Sequence, residues 1–339
     1  MNKTIYPMGY GVRSKDKKIL STSSSGGIFS EIANYMIKKG NIVYGCILDE
    51  KLDAVYLRGT TKKDIEKMRT SKYVQSNITG VIDRIKYDIN QGKKVLFIST
   101  PCYVDIIKLK LTEEELEKVI LIDFLCHGTP SKKFFKDHLE NIEKKYFSKV
   151  KEYSFRDKRY GWGHDEFAIL ENNKKIDSIK YVHQYKRLFH ENYILNKGCF
   201  SCKYTTMKRN SDFTIGDFWG VEEQLGIVDN RGMSALLINT KKGEVIFENI
   251  KENLEYYNVN ANDFQHGPLR KPTEIPKDYE YFMEDYRKYG YEYVAKKYAS
   301  PNFKIYFSTF RRRFAHILGV DYLLFWIKYK IKRVLKNAK

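Results

Sequence analysis

No apolar run in the 339-residue chain approaches the roughly 18 residues needed to cross a bilayer. Met1-Asn2-Lys3-Thr4-Ile5-Tyr6-Pro7 has none of the apolar core of a secretory signal. These absences leave no candidate for a membrane-spanning helix and lead us to expect a cytoplasmic protein. Internal repeats and low-complexity linkers are missing too, so boundaries must be read from the secondary-structure pattern. Cysteine is scarce: five residues in a cytosolic chain of this size do not make a disulfide framework. Any grouping among them is better read as metal-binding or catalytic. No Ser/His/Asp order, paired-carboxylate motif or Walker loop stands out, which argues against hydrolases and NTPases.

Acidic residues are also in short supply, 42 against 61 Lys+Arg, for a net charge of +19. The excess is local. Residues 301–339 hold ten basic residues (Lys304, Arg311, Arg312, Arg313, Lys328, Lys330, Lys332, Arg333, Lys336, Lys339) against one acid, Asp321. The rest of the chain is only mildly basic, so no specific nucleic-acid binding is implied, although the tail suits phosphates, lipid headgroups or an acidic partner. A hydrophobic fraction of 42% and an aromatic fraction of 15% supply a core and argue against disorder.

Residues 9–14 read as a strand, and Ser23-Ser24-Ser25-Gly26-Gly27 opens a helix from Ile28 to about Lys39, with Ile28, Ile32, Tyr35 and Met36 at helical spacing. Strands are predicted at 41–48 and, antiparallel to it, 54–58, with helices at 61–70 and 78–91. The apolar runs 94–99 and 119–125 have the character of buried parallel strands, separated by a helix at 103–109. Shorter strand patterns follow at 151–156, 166–171, 213–216 and 234–239, with a helix at 243–253. The expectation is an α/β fold: a mixed, mainly parallel sheet in the first half, an α+β second half and a basic helical C-terminal tail. The predicted regions are 1–147, 148–275 and 276–339.

Gly198-Cys199-Phe200-Ser201-Cys202-Lys203 carries the strongest local signal. A C-x2-C pair places two sulfurs on one tight loop, which is half of a four-thiolate site. Cys102 and Cys126 each follow a predicted parallel strand, where open α/β sheets hold ligands, so they are candidates for the other half. Zinc, an iron-sulfur cluster, a redox dithiol and plain buried thiols all remain open on the residues alone; Cys46, inside a strand, reads as core. Ser24, Ser25, Gly26 and Gly27 before a helix form a candidate phosphate cradle, or simply a helix start. Ser71, Lys72 and Tyr73 can add a cation and a hydroxyl to the same anion. Phe155–Gly163 and Ile215–Gly220 mix glycine, aromatics and charge in a way that suits a planar ligand or a tight aromatic turn.

Taken together, Ser24–Phe29, Ser71–Ser76, Ser99-Thr100-Pro101-Cys102, Cys126-His127-Gly128, Gly198–Lys203 and Asp212–Gly220 resemble the beta subunits of coenzyme F420-reducing hydrogenases and dehydrogenases, a group of iron-sulfur flavoproteins. The resemblance spans about residues 9–260. It implies a 4Fe–4S cluster on Cys102, Cys126, Cys199 and Cys202, and FAD with Ser24, Ser25, Gly26, Gly27, Ser71, Lys72, Tyr73 and Thr100 among its contacts. A cluster passes single electrons, whereas flavin also delivers hydride. The resemblance therefore implies an oxidoreductase that moves electrons between a ferredoxin-type or other redox partner, cluster and FAD, to or from an unidentified organic substrate. Many relatives carry an N-terminal ferredoxin-like domain that is not expected here, so a separate electron carrier is. The Phe155–Gly163 and Phe218–Gly220 versions resemble a bacterial branch often found in surface-polysaccharide gene clusters. His127 beside Cys126 reads chiefly as structural. The alternative is a non-catalytic, zinc-stabilised binding or scaffold protein with a basic tail. In that tail Phe307, Phe310, Phe314, Ile317, Leu318, Leu323, Leu324, Trp326 and Ile327 alternate with the basic groups. This pattern suits helices packed on the body or on a second subunit, or peripheral contact with the inner face of a membrane.

Overall fold

The computed structural model describes residues 5–163, 165–264, 266–320 and seven positions between 323 and 334. Met1–Thr4 of the N-terminal reading, and Asp321, Leu324, Lys328, Lys332, Arg333, Lys336 and Lys339 of the tail, lie outside the described residues. The first half runs β1 (Met8–Ser14), α1 (Lys17–Thr22), α2 (Ile28–Lys38), β2 (Ile42–Leu48), β3 (Ala54–Gly59), α3 (Lys62–Met68), α4 (Val81–Asn90), β4 (Val95–Ser99), α5 (Pro101–Lys110), α6 (Glu113–Glu117), β5 (Val119–Phe124) and α7 (Lys132–Tyr146). The second half adds β6 (Val150–Asp157), β7 (Asp165–Leu170), β8 (Lys175–Ile176), α8 (Gln184–His190), β9 (Phe213–Asp217), α9 (Val221–Leu225), β10 (Ser234–Ile238), α10 (Lys241–Ile250), β11 (Leu254–Val259), α11 (Tyr279–Ala299) and α12 (Phe303–Ile317).

Eight strands form one sheet in the order β11-β1-β10-β9-β5-β4-β2-β3. Its centre, β2-β4-β5-β9, is parallel, and both flanks are antiparallel. The apolar runs expected at 94–99 and 119–125 are its two middle strands, and their continuity has a simple cause: both faces are covered. Val95 and Phe97 of β4 pack with Val81 and Ile85 of α4 and Val104 and Ile107 of α5. Leu96 and Ile98, one residue out of phase, pack with Ile28 and Ile32 of α2 and Ile246 and Phe247 of α10. A period of two thus sends alternate side chains of one strand into two cores.

A smaller antiparallel sheet, β6-β7-β8, is enclosed by α7, α8 and α11 around Phe135, Phe155, Tyr185, Leu188, Phe282 and Val294. The boundary expected at 147/148 falls between α7 and β6, which share this core, while β9, β10 and β11 complete the sheet begun by the first half. The region from 276 divides as well. α11 buries Phe282, Tyr291 and Val294 in the smaller core, and the mostly exposed, basic part of the region starts only at α12.

The loop before α2 is where local sequence and packing meet most tightly. Gly27 caps α2 with a φ of 89°, a left-handed conformation that glycine adopts without penalty. Gly26 donates its N–H to Ser234 Oγ at 2.8 Å. A Cβ on Gly26 would stand 2.2 Å from the Val12 carbonyl oxygen and 2.7 Å from the Ser234 nitrogen. Backbone on two strands cannot yield as a flexible side chain would. Gly26→Ala should therefore cost ~1–3 kcal/mol of stability, the usual penalty of overpacking, seen as a lower urea midpoint; an unchanged midpoint would show that the loop gives way.

Candidate functional site

Asp217, Thr100 and Cys126 lie at or just beyond the carboxyl ends of β9, β4 and β5, so the parallel centre of the sheet delivers them to one edge. Thr100 is the N-cap of α5, with Pro101 in its first turn, and its hydroxyl lies 3.2 Å from Cys102 Sγ. Cys126 follows β5, and Cys199 and Cys202 lie on and just after a short 3-10 turn, Lys197–Ser201.

Two sets of contacts draw these four cysteines together. On one side, Asn196 N–H donates to the Thr129 carbonyl at 2.9 Å, and Thr129 N–H approaches Cys199 Sγ at 3.5 Å. Gly128 has a φ of 142°, and a Cβ there would meet Leu195 at 2.8 Å and the Cβ of Cys199 at 3.4 Å. Glycine in the Cys126-His127-Gly128 motif thus makes room for the C-x2-C turn. On the other side, Asp105 lies three residues beyond Cys102 on α5 and is buried. It accepts from Asn210 Nδ2 at 2.7 Å and from the Tyr204 hydroxyl, and stands 3.8 Å from Lys203 Nζ. This clamp pulls the chain leaving Cys202 onto the helix that carries Cys102.

The thiols feel one another. Burial, then Cys102, and more weakly Cys199 and Cys202, push the Cys126 thiol up to about 12. Cys102 is raised by partial desolvation and by Cys202 and Cys199, while the Thr100 hydroxyl pulls the other way. Among the described residues, no group of three or more His, Cys, Asp or Glu side chains is placed to hold a metal ion.

The residues expected to bind an anion converge on an adjoining loop cluster, but several are already engaged. Ser25 Oγ donates to the Met233 carbonyl at 2.6 Å, and Ser24 Oγ accepts from the Ser71 N–H at 2.9 Å. Lys72 Nζ faces the carbonyls of Lys67, Met68, Arg69 and Thr70 at 2.8–3.1 Å. Instead of reaching toward an anion, it closes the end of α3, and burial lowers its ammonium to about 8. Tyr73 stacks on Phe189 at 4.7 Å, and Phe189 meets the ring of His127 edge-on at 5.2 Å. His127 is in turn bonded to Asn192 at 2.7 Å. Gln75 N–H donates to the Pro130 carbonyl at 2.9 Å, and the Tyr103 hydroxyl to the Ser76 carbonyl at 3.0 Å. The 71–76 loop therefore lies between the Ser24–Gly27 loop and the cysteines.

The residue that organises this side is absent from the expected site. Arg156, buried at the end of β6, forks onto Asp217 at 2.9 and 3.2 Å, and donates to the Tyr73 hydroxyl at 3.0 Å and the Ser24 carbonyl at 2.7 Å. Lys158 donates to the carbonyls of Leu20 at 2.9 Å, Arg231 at 2.7 Å and Ser25, and burial, then Arg156, pulls its ammonium down to about 7. Trp162 donates from its ring nitrogen to Asp217 at 3.1 Å and stacks on Trp219 at 4.7 Å, 8° from parallel. The signal that could have found them is the mixed composition of Phe155–Gly163 and Ile215–Gly220. Arg156 keeps its Nε buried without a hydrogen-bond partner, and Trp219 is partly exposed. Both fit a site made to receive a polar, planar ligand. A shallow hollow of about 610 Å3 at the β1/β11 edge is lined by none of these residues.

The family profile for the C terminus of the coenzyme F420 hydrogenase/dehydrogenase beta subunit matches residues 92–263, and the profile for its N terminus matches residues 10–83. Among solved structures, the chain is similar to one reported as a xenon derivatization of the F420-reducing NiFe hydrogenase complex from Methanosarcina barkeri. The TM-score is 0.51 and the identity 18%, with 86% of this chain and 91% of that chain covered. At that identity the likeness shows the fold. No curated protein matches the chain.

Proposed function

Because the chain belongs to the coenzyme F420 hydrogenase/dehydrogenase beta subunit family, a family of redox-enzyme subunits, we propose that it is an iron-sulfur flavoprotein oxidoreductase. Cys102, Cys126, Cys199 and Cys202 would hold a 4Fe–4S cluster, and the Ser24–Gly27, Ser71–Tyr73 and Thr100 loops, organised by Arg156, would hold FAD. The observation that supports this reading is the set of contacts that bring the segments carrying the four cysteines near one another, Asp105 linking the Cys202 loop to α5 on one side and Gly128 and Thr129 meeting the Cys199 turn on the other. When bound, these groups would supply one-electron transfer and hydride delivery respectively.

What the chain's own residues contribute is position. The Thr129 N–H points at Cys199 Sγ and would stabilise charge on that sulfur. Arg156 holds Ser24 and Tyr73 in register. The 71–76 loop joins the two halves of the site through bonds to Pro130 and Tyr103. A ferredoxin-type protein or another subunit is the proposed electron partner, and the acceptor is an organic molecule. The Phe155–Gly163 and Phe218–Gly220 motifs make surface-polysaccharide precursors the first class to assay.

Protein purified without oxygen should be brown, with a broad visible absorbance that bleaches with dithionite. It should contain iron and acid-labile sulfide in equal amounts and release FAD on denaturation. A colourless protein with stoichiometric zinc would overturn the proposal.

A further inference from the structure

We infer that α12 lies flat on an anionic membrane surface and holds the redox body against it. Phe303, Phe307, Phe310, Phe314 and Ile317 follow one another at intervals of four, three, four and three, which places them on one face of the helix. Each is exposed, by between 50% and 80%. The opposite face is fastened to the body. Arg312 pairs with Asp165 at 2.7 Å and donates to the Tyr160 carbonyl at 3.2 Å. Arg313 lies 3.4 Å from Asp177 and 4.8 Å above the Tyr160 ring, and Ala315 is buried. The body thus orients the helix and turns its apolar stripe outward.

Charge decides what covers that stripe. Two of the three consecutive arginines are engaged by Asp165 and Asp177; the third, Arg311, and Lys304 are exposed on the flank of the stripe. From there their long side chains can reach headgroups while the rings enter the acyl boundary. Beyond the helix, exposed Leu323, Trp326, Ile327 and Ile331 repeat the same chemistry, with Lys330 set 5.2 Å above the Trp326 ring. No helix among the described residues is long and apolar enough to cross a bilayer, so the segment lies on the surface. A second copy of the chain is a poor cover, because it would bring a net charge of +19 against +19. An anionic bilayer supplies both the apolar phase and the opposite charge.

Flotation of the full-length protein with vesicles of phosphatidylcholine alone, and of phosphatidylcholine with phosphatidylglycerol in equal parts, tests this directly. Binding should appear only with phosphatidylglycerol and weaken as salt is raised. Phe307→Ser with Phe314→Ser should reduce it ~10-fold or more, through loss of buried apolar area. These side chains are exposed, so circular dichroism and the melting temperature should match the parent. Arg311→Glu should weaken binding without changing either. Equal binding by the double variant, or none to phosphatidylglycerol at low salt, would overturn the inference. So would a dimer, seen by light scattering, that the double variant dissociates.

Discussion

Serine in place of Cys126, Cys199 or Cys202 is expected to abolish iron and sulfide retention, whereas Cys46→Ser should keep the full complement. The proposed site accepts four soft thiolates, and a serine hydroxyl is both harder and far less acidic. Cys46 is on β2 with its sulfur toward its own strand's carbonyl groups, and burial raises its thiol to about 11, so it behaves as a small core residue. The Asp105 clamp refines the test. Asp105 touches no sulfur, yet it fastens the Cys202 loop to α5, so Asp105→Asn should leave a cluster that chelator strips ~10–100-fold more readily, the usual cost of losing an outer-shell partner. Iron and sulfide content, and the rate of bleaching by chelator, measure both effects. Equal iron loss in Cys46→Ser and Cys199→Ser would refute the ligand assignment.

Arg156→Met should be the most damaging change outside the cysteines, costing ~3–5 kcal/mol of stability, as expected when one partner leaves a buried pair. The guanidinium is almost wholly enclosed, and Asp217 is 15% exposed. Removing the cation takes the guanidinium fork from that carboxylate, leaving the Trp162 ring N–H on it, and releases the Tyr73 hydroxyl and the Ser24 carbonyl together. If the cost arises from the poorly compensated charge, then adding Asp217→Asn to Arg156→Met should restore part of it. If it arises from packing, the two losses should add. Urea denaturation of the four members of the cycle separates these cases. FAD retention gives an independent reading, because the double variant should still lose flavin, whatever stability it regains, if Arg156 organises the cradle. Stability and flavin content equal to the parent in Arg156→Met would remove Arg156 from the proposed site.

Much of the framework is legible along the chain because its signals are local. β4 and β5 announce themselves as apolar runs, and their neighbours β2 and β9 fall within a residue or so of the expected bounds. α7 escapes a reading of the sequence although Phe134, Phe135, His138, Leu139 and Ile142 mark its buried face. Along the chain these stand among lysines and glutamates that dilute the pattern. β11 escapes for a related reason: as an edge strand it is only half-buried and lacks a clear apolar run.

The site divides along the same line. Cysteine spacing, the glycines before α2 and the Asp212–Gly220 motif are properties of short segments, and a resemblance built on them points to the family that the profile matches show. Lys72 illustrates the limit: a lysine beside a candidate anion loop has the right charge, but the nearby end of α3 offers four carbonyls and takes it. Arg156 and Asp217 are 61 residues apart, and Asp105 and Asn210 are 105 apart. No local pattern encodes such pairings; they exist because the large sheet delivers β9 and α5 to one edge and the smaller sheet brings β6 against it. The same holds for the basic tail. Its composition is evident from the chain alone, but only the fold shows that Arg312 and Arg313 turn inward to Asp165 and Asp177 while the phenylalanines face out. The sequence by itself determined which chemical groups this protein has and the elements that carry them. Tertiary structure decided which of those groups hold the fold and which are left to act, because burial and long-range pairing set the free energy of each charge.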